Sequence, residues 1–346
     1  MYNDYPPYGG YQNNAPQGGY PYGFVPAPDD ARRRLRTAEK RNIRRLGCVA
    51  GCCVLGFVVI GFFIGMLLDR ETYERYLSDF SFQYAFDAVY SILAVGIPFF
   101  TACLFLRKKT PSELLPLGEP RNKLYFILII PAAWLMCILG SYATTAISVF
   151  FEQGLGVVFE LPGSDLSPET VPQVLLMIFR ISVIPAIFEE VAMRGVVMQT
   201  LRRYGDWFAI LMSASVFALM HGNMVQIPFA FIAGIAIGYA VITTGTLWTG
   251  IIIHFLNNSL SVVQTVAYNV MPEETFNVFS RVLIISVGVL GLICGIVLYE
   301  KKMFKRLHSG SRALTNAEKT GAFFLNVPML LAIAYLVFTT MEYISF

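Results

Sequence analysis

FEEVAMRG, residues 188–195, lies inside the apolar run VLLMIFRISVIPAIFEEVAMRGVVM of residues 174–198. The run is long enough for a membrane helix, which needs about 20 apolar residues. Yet it holds Glu189, Glu190 and Arg194. Ionisable side chains in hydrocarbon are rare and cost a few kcal/mol or more each, so by default they mark a working site.

The rest of the chain supports the membrane reading. Of 346 residues 55% are hydrophobic and only 14% charged, against roughly a quarter charged in soluble domains. Nine apolar runs recur, at about 47–68, 86–106, 124–150, 173–198, 207–221, 226–243, 247–267, 282–299 and 323–342. The fifth and sixth are short and separated by little more than HGNMVQ. The expected fold is an all-α polytopic membrane protein of about nine helices, or eight, with a catalytic core of about four. Four segments are expected: 1–46 as tail and basic juxtamembrane stretch, 47–165 as accessory helices, 166–270 as core, and 271–346 as C-terminal helices.

Basic residues alternate between the connections. Eight precede the first run, five lie between the second and third, two between the fourth and fifth, and six between the eighth and ninth; the opposite connections hold only Arg70, Arg75 and Arg281. By the positive-inside rule the amino terminus is expected in the cytoplasm and the protein in the cell membrane. The net charge of +3 then reflects topology, and no nucleic-acid partner is implied. The first 30 residues, with six Tyr, six Pro and five Gly, are expected to be a disordered tail. The six cysteines all fall in or beside apolar runs with no CxxC pair, as buried thiols do.

Two further polar stripes stand in the core. Phe217 precedes His221 by four residues at the end of FAILMSASVFALMH, and His254 precedes Asn258 by four in LWTGIIIHFLNNSL. Residues four apart share a helix face, as Glu190 and Arg194 also do. Taken singly, an intramembrane histidine is commonly a hydrogen-bonded structural residue, and a Glu–Arg pair can merely orient helices. Three such stripes on neighbouring helices, in a chain otherwise nearly free of them, point to one shared site.

EEVAMR (EExxxR), FALMH (FxxxH) and HFLNN (HxxxN), in that order, resemble the prokaryotic CAAX-prenyl-endopeptidase-like family of intramembrane proteases, also called CPBP or Abi. The resemblance covers about 100 residues from near Val171 to Ala267. It implies a peptide-bond hydrolase acting on a membrane peptide or protein, with Glu189 as general base. His221 would help hold the water, and His254 and Asn258 would donate to the oxyanion. Glu190, Arg194 and Phe217 would support them, Arg194 neutralising the second carboxylate. No cofactor is expected. Zinc is the alternative, because two Glu and two His are plausible ligands, although HExxH is absent and Asn is a poor zinc ligand.

Other polar intruders read as structural: Arg180 reaching toward the interface, Pro185 kinking its helix, and Gly234–Gly238 as a small-residue packing face. Two other functional classes stay open. One is a non-catalytic immunity or assembly factor of the same family; the other is a proton-coupled transporter, which would show paired repeats that this chain lacks. Depth is an obstacle to a shared site. At about 1.5 Å per residue, His254 lies on the order of 10 Å into its helix and His221 about 20 Å into its own. The sequence carries no sign of substrate identity or oligomeric state.

Overall fold

Residues 28–106, 114–160 and 166–345 are described by a computed structural model. The tail expected to be disordered lies outside them, except that residues 28–30 open the first helix. That helix, α1 (Pro28–Met66), carries the basic stretch and the first apolar run without a break. Asp29 and Asp30 in its first turn favour the positive end of the helix dipole. A short amphipathic helix α2 (Arg70–Ser78) leads to α3 (Phe80–Phe105), and Asp69 and Asp79 cap the two through side-chain acceptors. Asn122 does the same for α4 (Lys123–Leu155), which ends at left-handed Gly156.

The remaining helices are α5 (Val171–Tyr204), α6 (Asp206–Leu219), α7 (Ile227–Thr244), α8 (Trp248–Val270), α9 (Glu273–Glu300), α10 (Asn316–Phe324) and α11 (Val327–Met341). Seven of these helices, α1, α3, α4, α5, α7, α8 and α9, are long and apolar enough to cross a membrane. Large side chains such as Phe62, Phe100, Ile127 and Ile285 point outward, as lipid-facing residues do. The chain is an all-α multi-pass membrane protein, with two differences from the nine expected spans.

The fifth run becomes α6, only 14 residues long, or about 21 Å against a hydrocarbon core of about 30 Å. The turn after it explains the early stop. Fully buried Asn223 accepts from the Gln226 amide and donates to the His221 carbonyl, and Gly222 takes φ +64°. The ninth run is split into α10 and α11, bent by 78°, which make an eighth span only if counted together. Asn326 ends one helix and caps the next, with proline in the first turn of α11.

Contacts gather the basic connections at one end. Arg121 N–H donates to the Thr244 carbonyl and Leu247 N–H to that of Pro116. Lys319 Nζ donates to the carbonyls of Tyr204 and Ser311, and Arg36 pairs with Glu318 at 2.6 Å. At the other end Val158–Phe159 (β1) pairs antiparallel with Ile344–Ser345 (β2), Val158 opposite Ser345. Within the core α7 packs on α6 so closely that a Cβ at Gly234 would stand 2.9 Å from the Ala214 Cβ. The expected small-residue face is thus used for helix packing.

Candidate active site

The first motif sits in α5, whose backbone leaves α-geometry once before it and again within it. Phe179–Val183 and Val191–Val197 are π-helical, with α-helical Ile184–Glu190 between them. Such π turns widen the helix by one residue and recur at functional sites. Pro185 lacks an N–H, so the Ile181 carbonyl, four residues earlier, loses its helical donor. Asn258 on α8 replaces it, donating from Nδ2 at 2.9 Å. The second π turn is held by Ser213 of α6, whose hydroxyl donates to the Met193 carbonyl at 2.8 Å, and by Gln199, which donates to the Arg194 carbonyl at 3.2 Å.

Glu190 is wholly buried and fully engaged on one oxygen. Its Oε1 accepts from Arg194 Nη1 at 2.8 Å and from His254 Nδ1 at 2.9 Å. Gly250, one turn before His254, makes this approach feasible: a Cβ there would lie 2.7 Å from Glu190 Oε2. Arg194, 1% exposed, has its guanidinium 4.5 Å from the Phe217 ring centroid, a cation–π contact. The same ring meets both imidazoles edge-on, at 4.8 Å for His221 and 5.9 Å for His254. Phe217 therefore joins the three motifs.

The backbone of Phe217 also sets a tautomer. His221 Nδ1 lies 2.9 Å from its carbonyl oxygen, and a carbonyl only accepts. Nδ1 thus carries the hydrogen, and neutral His221 keeps its lone pair on Nε2. His254 is held in the same sense, since its Nδ1 faces the Glu190 carboxylate.

Glu189 differs from its neighbour in every respect. Its side chain is 29% exposed, and its Oε2 lies 3.8 Å from His254 Nε2. Among the described residues no hydrogen bond engages its carboxylate. One glutamate is neutralised and locked; the other is accessible beside two imidazoles, an arrangement suited to moving a proton to and from a small molecule such as water.

Six of the seven expected residues, Glu189, Glu190, Arg194, Phe217, His221 and His254, meet in one cluster. The depth obstacle disappears because α6 is short and its end is folded into the bundle: Gly222 lies beside Thr339 of α11. Asn258 is one turn beyond His254, with one amide hydrogen given to Ile181. Arg180, expected to reach toward the interface, instead pairs with Asp87 of α3 at 3.1 Å, and Tyr76 donates to the same carboxylate. An acid in the second apolar run was the signal for this pairing. Ser213 and Gly250 carried no signal, because their roles depend on a neighbouring helix.

Among the described residues no group of three or more His, Cys, Asp and Glu side chains is gathered to hold a metal ion. Glu190 Oε1 is already occupied by two hydrogen bonds.

The family model for type II CAAX prenyl endopeptidase, Rce1-like, matches residues 171–260. That segment runs from the start of α5 into α8 and contains all seven site residues. The match agrees with the resemblance to the CAAX protease family read from the motifs. Comparison with curated proteins and with solved structures gives no match.

Proposed function

We propose that the Rce1-like segment is an active intramembrane endopeptidase that hydrolyses a peptide bond of a membrane-associated peptide or protein, with Glu189 as general base. One observation carries the reading. Glu190 is committed to Arg194 and His254, while Glu189 keeps a free, partly exposed carboxylate 3.8 Å from His254 Nε2. A base must have an uncommitted lone pair within reach of water, and of the two glutamates Glu189 is the one that does.

In this mechanism Glu189 takes a proton from water as the oxygen attacks the scissile carbonyl carbon. His221, with its lone pair on Nε2, accepts the other water hydrogen and orients the nucleophile. The carbonyl becomes an oxyanion facing His254 Nε2–H and the second amide hydrogen of Asn258. His254 Nδ1 donates to Glu190, so in this mechanism His254 donates from Nε2 as the imidazolium. The site then starts with two negative and two positive groups. Proton transfer to Glu189 moves one negative charge onto the oxyanion and leaves the total unchanged. Collapse of the intermediate breaks the C–N bond, and Glu189 returns its proton to the leaving amine.

The mechanism uses no metal: Arg194, rather than a cation from solution, balances the second carboxylate. Comparative proteomics of membrane peptides from cells carrying the wild type or Glu189→Gln tests the activity. Fragments present only with the wild type are expected; identical peptide profiles would leave the non-catalytic reading in place.

A further inference from the structure

A second polar feature lies at the basic end of the bundle, away from the glutamates. A cavity of about 300 Å³ opens between the start of α4 and the segment following α9, lined by Arg121, Asn122, Tyr125, Lys302, Phe304 and Lys305 among others. Three of its lining residues are cations, and none is a carboxylate. Lys302 and Lys305 have no ion-pair partner among the described residues.

The walls are built rather than incidental. Lys305 Nζ donates to the Thr243 carbonyl at 2.7 Å and lies 4.8 Å from the Tyr125 ring centroid. Its backbone is tied at both polar atoms to the Tyr239 hydroxyl, each at 3.1 Å. The floor is fixed by buried Tyr125, whose hydroxyl donates to Thr243 Oγ1 at 3.0 Å. Arg121 is seated by its amide on the Thr244 carbonyl and packs against Gly245, where a Cβ would stand 2.7 Å from its Nε. Burial, followed by the Arg121 charge, holds the Lys305 ammonium below the ordinary lysine range. Lys302 and Lys305 brought together in a cavity whose lining holds no carboxylate favour an anion.

We propose that this cavity binds a phosphate group, specifically the headgroup of an anionic phospholipid at the surface of the leaflet next to the basic connections. The phosphate chemistry follows from the cations, and the lipid source from the surroundings. The cavity sits where α4 and α9 leave the apolar zone, and Leu124, Ile127, Ile296 and Tyr299 present exposed apolar surface on those helices. Acyl chains can lie along that surface while the headgroup enters the pocket, as basic pockets between membrane helices do elsewhere. A volume of about 300 Å³ also suits a headgroup with its glycerol better than a bare ion.

The test uses the full-length protein in nanodiscs of phosphatidylcholine, with and without phosphatidylglycerol, read by thermal unfolding and by native mass spectrometry of retained lipid. Phosphatidylglycerol is expected to raise the unfolding temperature and to be retained. Arg121→Gln and Lys302→Gln are each expected to weaken retention about fivefold. Lys40→Gln, a basic residue of α1 outside the cavity, is the control and keeps retention unchanged. Lys302 is exposed, so its variant folds even where a change at a seated residue does not. Retention unchanged in Lys302→Gln, or weakened equally by Lys40→Gln, overturns the site. Inorganic phosphate alone is the second arm: stabilisation as large as that by the lipid would overturn the lipid source.

Discussion

Replacing each glutamate of EEVAMR by glutamine in turn separates their roles. Glu189→Gln keeps shape and hydrogen-bonding capacity at a partly exposed position with no arginine attached, so stability is expected to change by less than about 1 kcal/mol. The base is lost, and general-base catalysis is worth about 10²–10⁴-fold in rate. Glu190→Gln has the opposite profile. Its Oε1 can still accept from Arg194 and His254, but the charge opposing a guanidinium only 1% exposed is gone. The new NH2 would occupy the Oε2 position, which among the described residues has no hydrogen-bond partner and faces Gly250. Breaking a buried pair from one side costs about 3–5 kcal/mol, or roughly 5–10 °C in unfolding temperature for a chain of this size. Adding Arg194→Met to Glu190→Gln removes the orphaned charge and is expected to recover much of that loss, since buried pairs are often replaceable by apolar groups. Cleavage of a membrane reporter peptide and thermal unfolding, both in nanodiscs, give the two readouts. A Glu189→Gln protein that cleaves at the wild-type rate refutes the mechanism. A well-folded, inactive Glu190→Gln beside a destabilised Glu189→Gln would mean that the two roles are exchanged.

Asn258→Ala should lower both stability, by about 1–3 kcal/mol for the unpaired Ile181 carbonyl, and rate, by about 10²–10³-fold for a lost oxyanion donor. Adding Pro185→Ala returns an N–H to that carbonyl. Stability is then expected to recover while the rate stays low, and recovery of both would assign Asn258 a purely structural role. Gly250→Ala places a methyl 2.7 Å from Glu190 Oε2 and is expected to push α8 away, with loss of cleavage detectable in the same reporter assay. Activity of the purified protein should survive exhaustive chelation; loss on chelation with recovery on adding zinc would turn His221, His254 and the glutamates into ligands. Cysteines introduced at Glu160 and Ser345, which share the β1–β2 end, should both be labelled by an impermeant reagent in intact cells. Labelling at Gln17 instead would invert the topology read from the basic residues.

Hydrophobic runs determined the helical membrane fold from sequence alone, because a bilayer accepts only backbone that satisfies its own hydrogen bonds. The periodicity of four likewise put Glu190 with Arg194, Phe217 with His221, and His254 with Asn258, since i,i+4 neighbours are a local property of any helix. Pro185 announced a freed carbonyl, again from covalent structure. What the sequence could not decide was anything that crosses between helices. That α6 stops after 14 residues, bringing His221 to the depth of His254, depends on a buried asparagine turn packed under α11. The choice between the glutamates depends on which carboxylate α8 touches, and Gly250 decides it by letting Glu190 come against the helix backbone. Arg194 pairs with Glu190 by periodicity, but it is held there by the ring of Phe217 from α6. Asn258 faces Ile181 only because the π turn and proline of α5 present an unpaired carbonyl to α8. Periodicity names the members of each stripe; only packing brings the stripes face to face, because contacts between helices are set by shape and not by spacing along one chain.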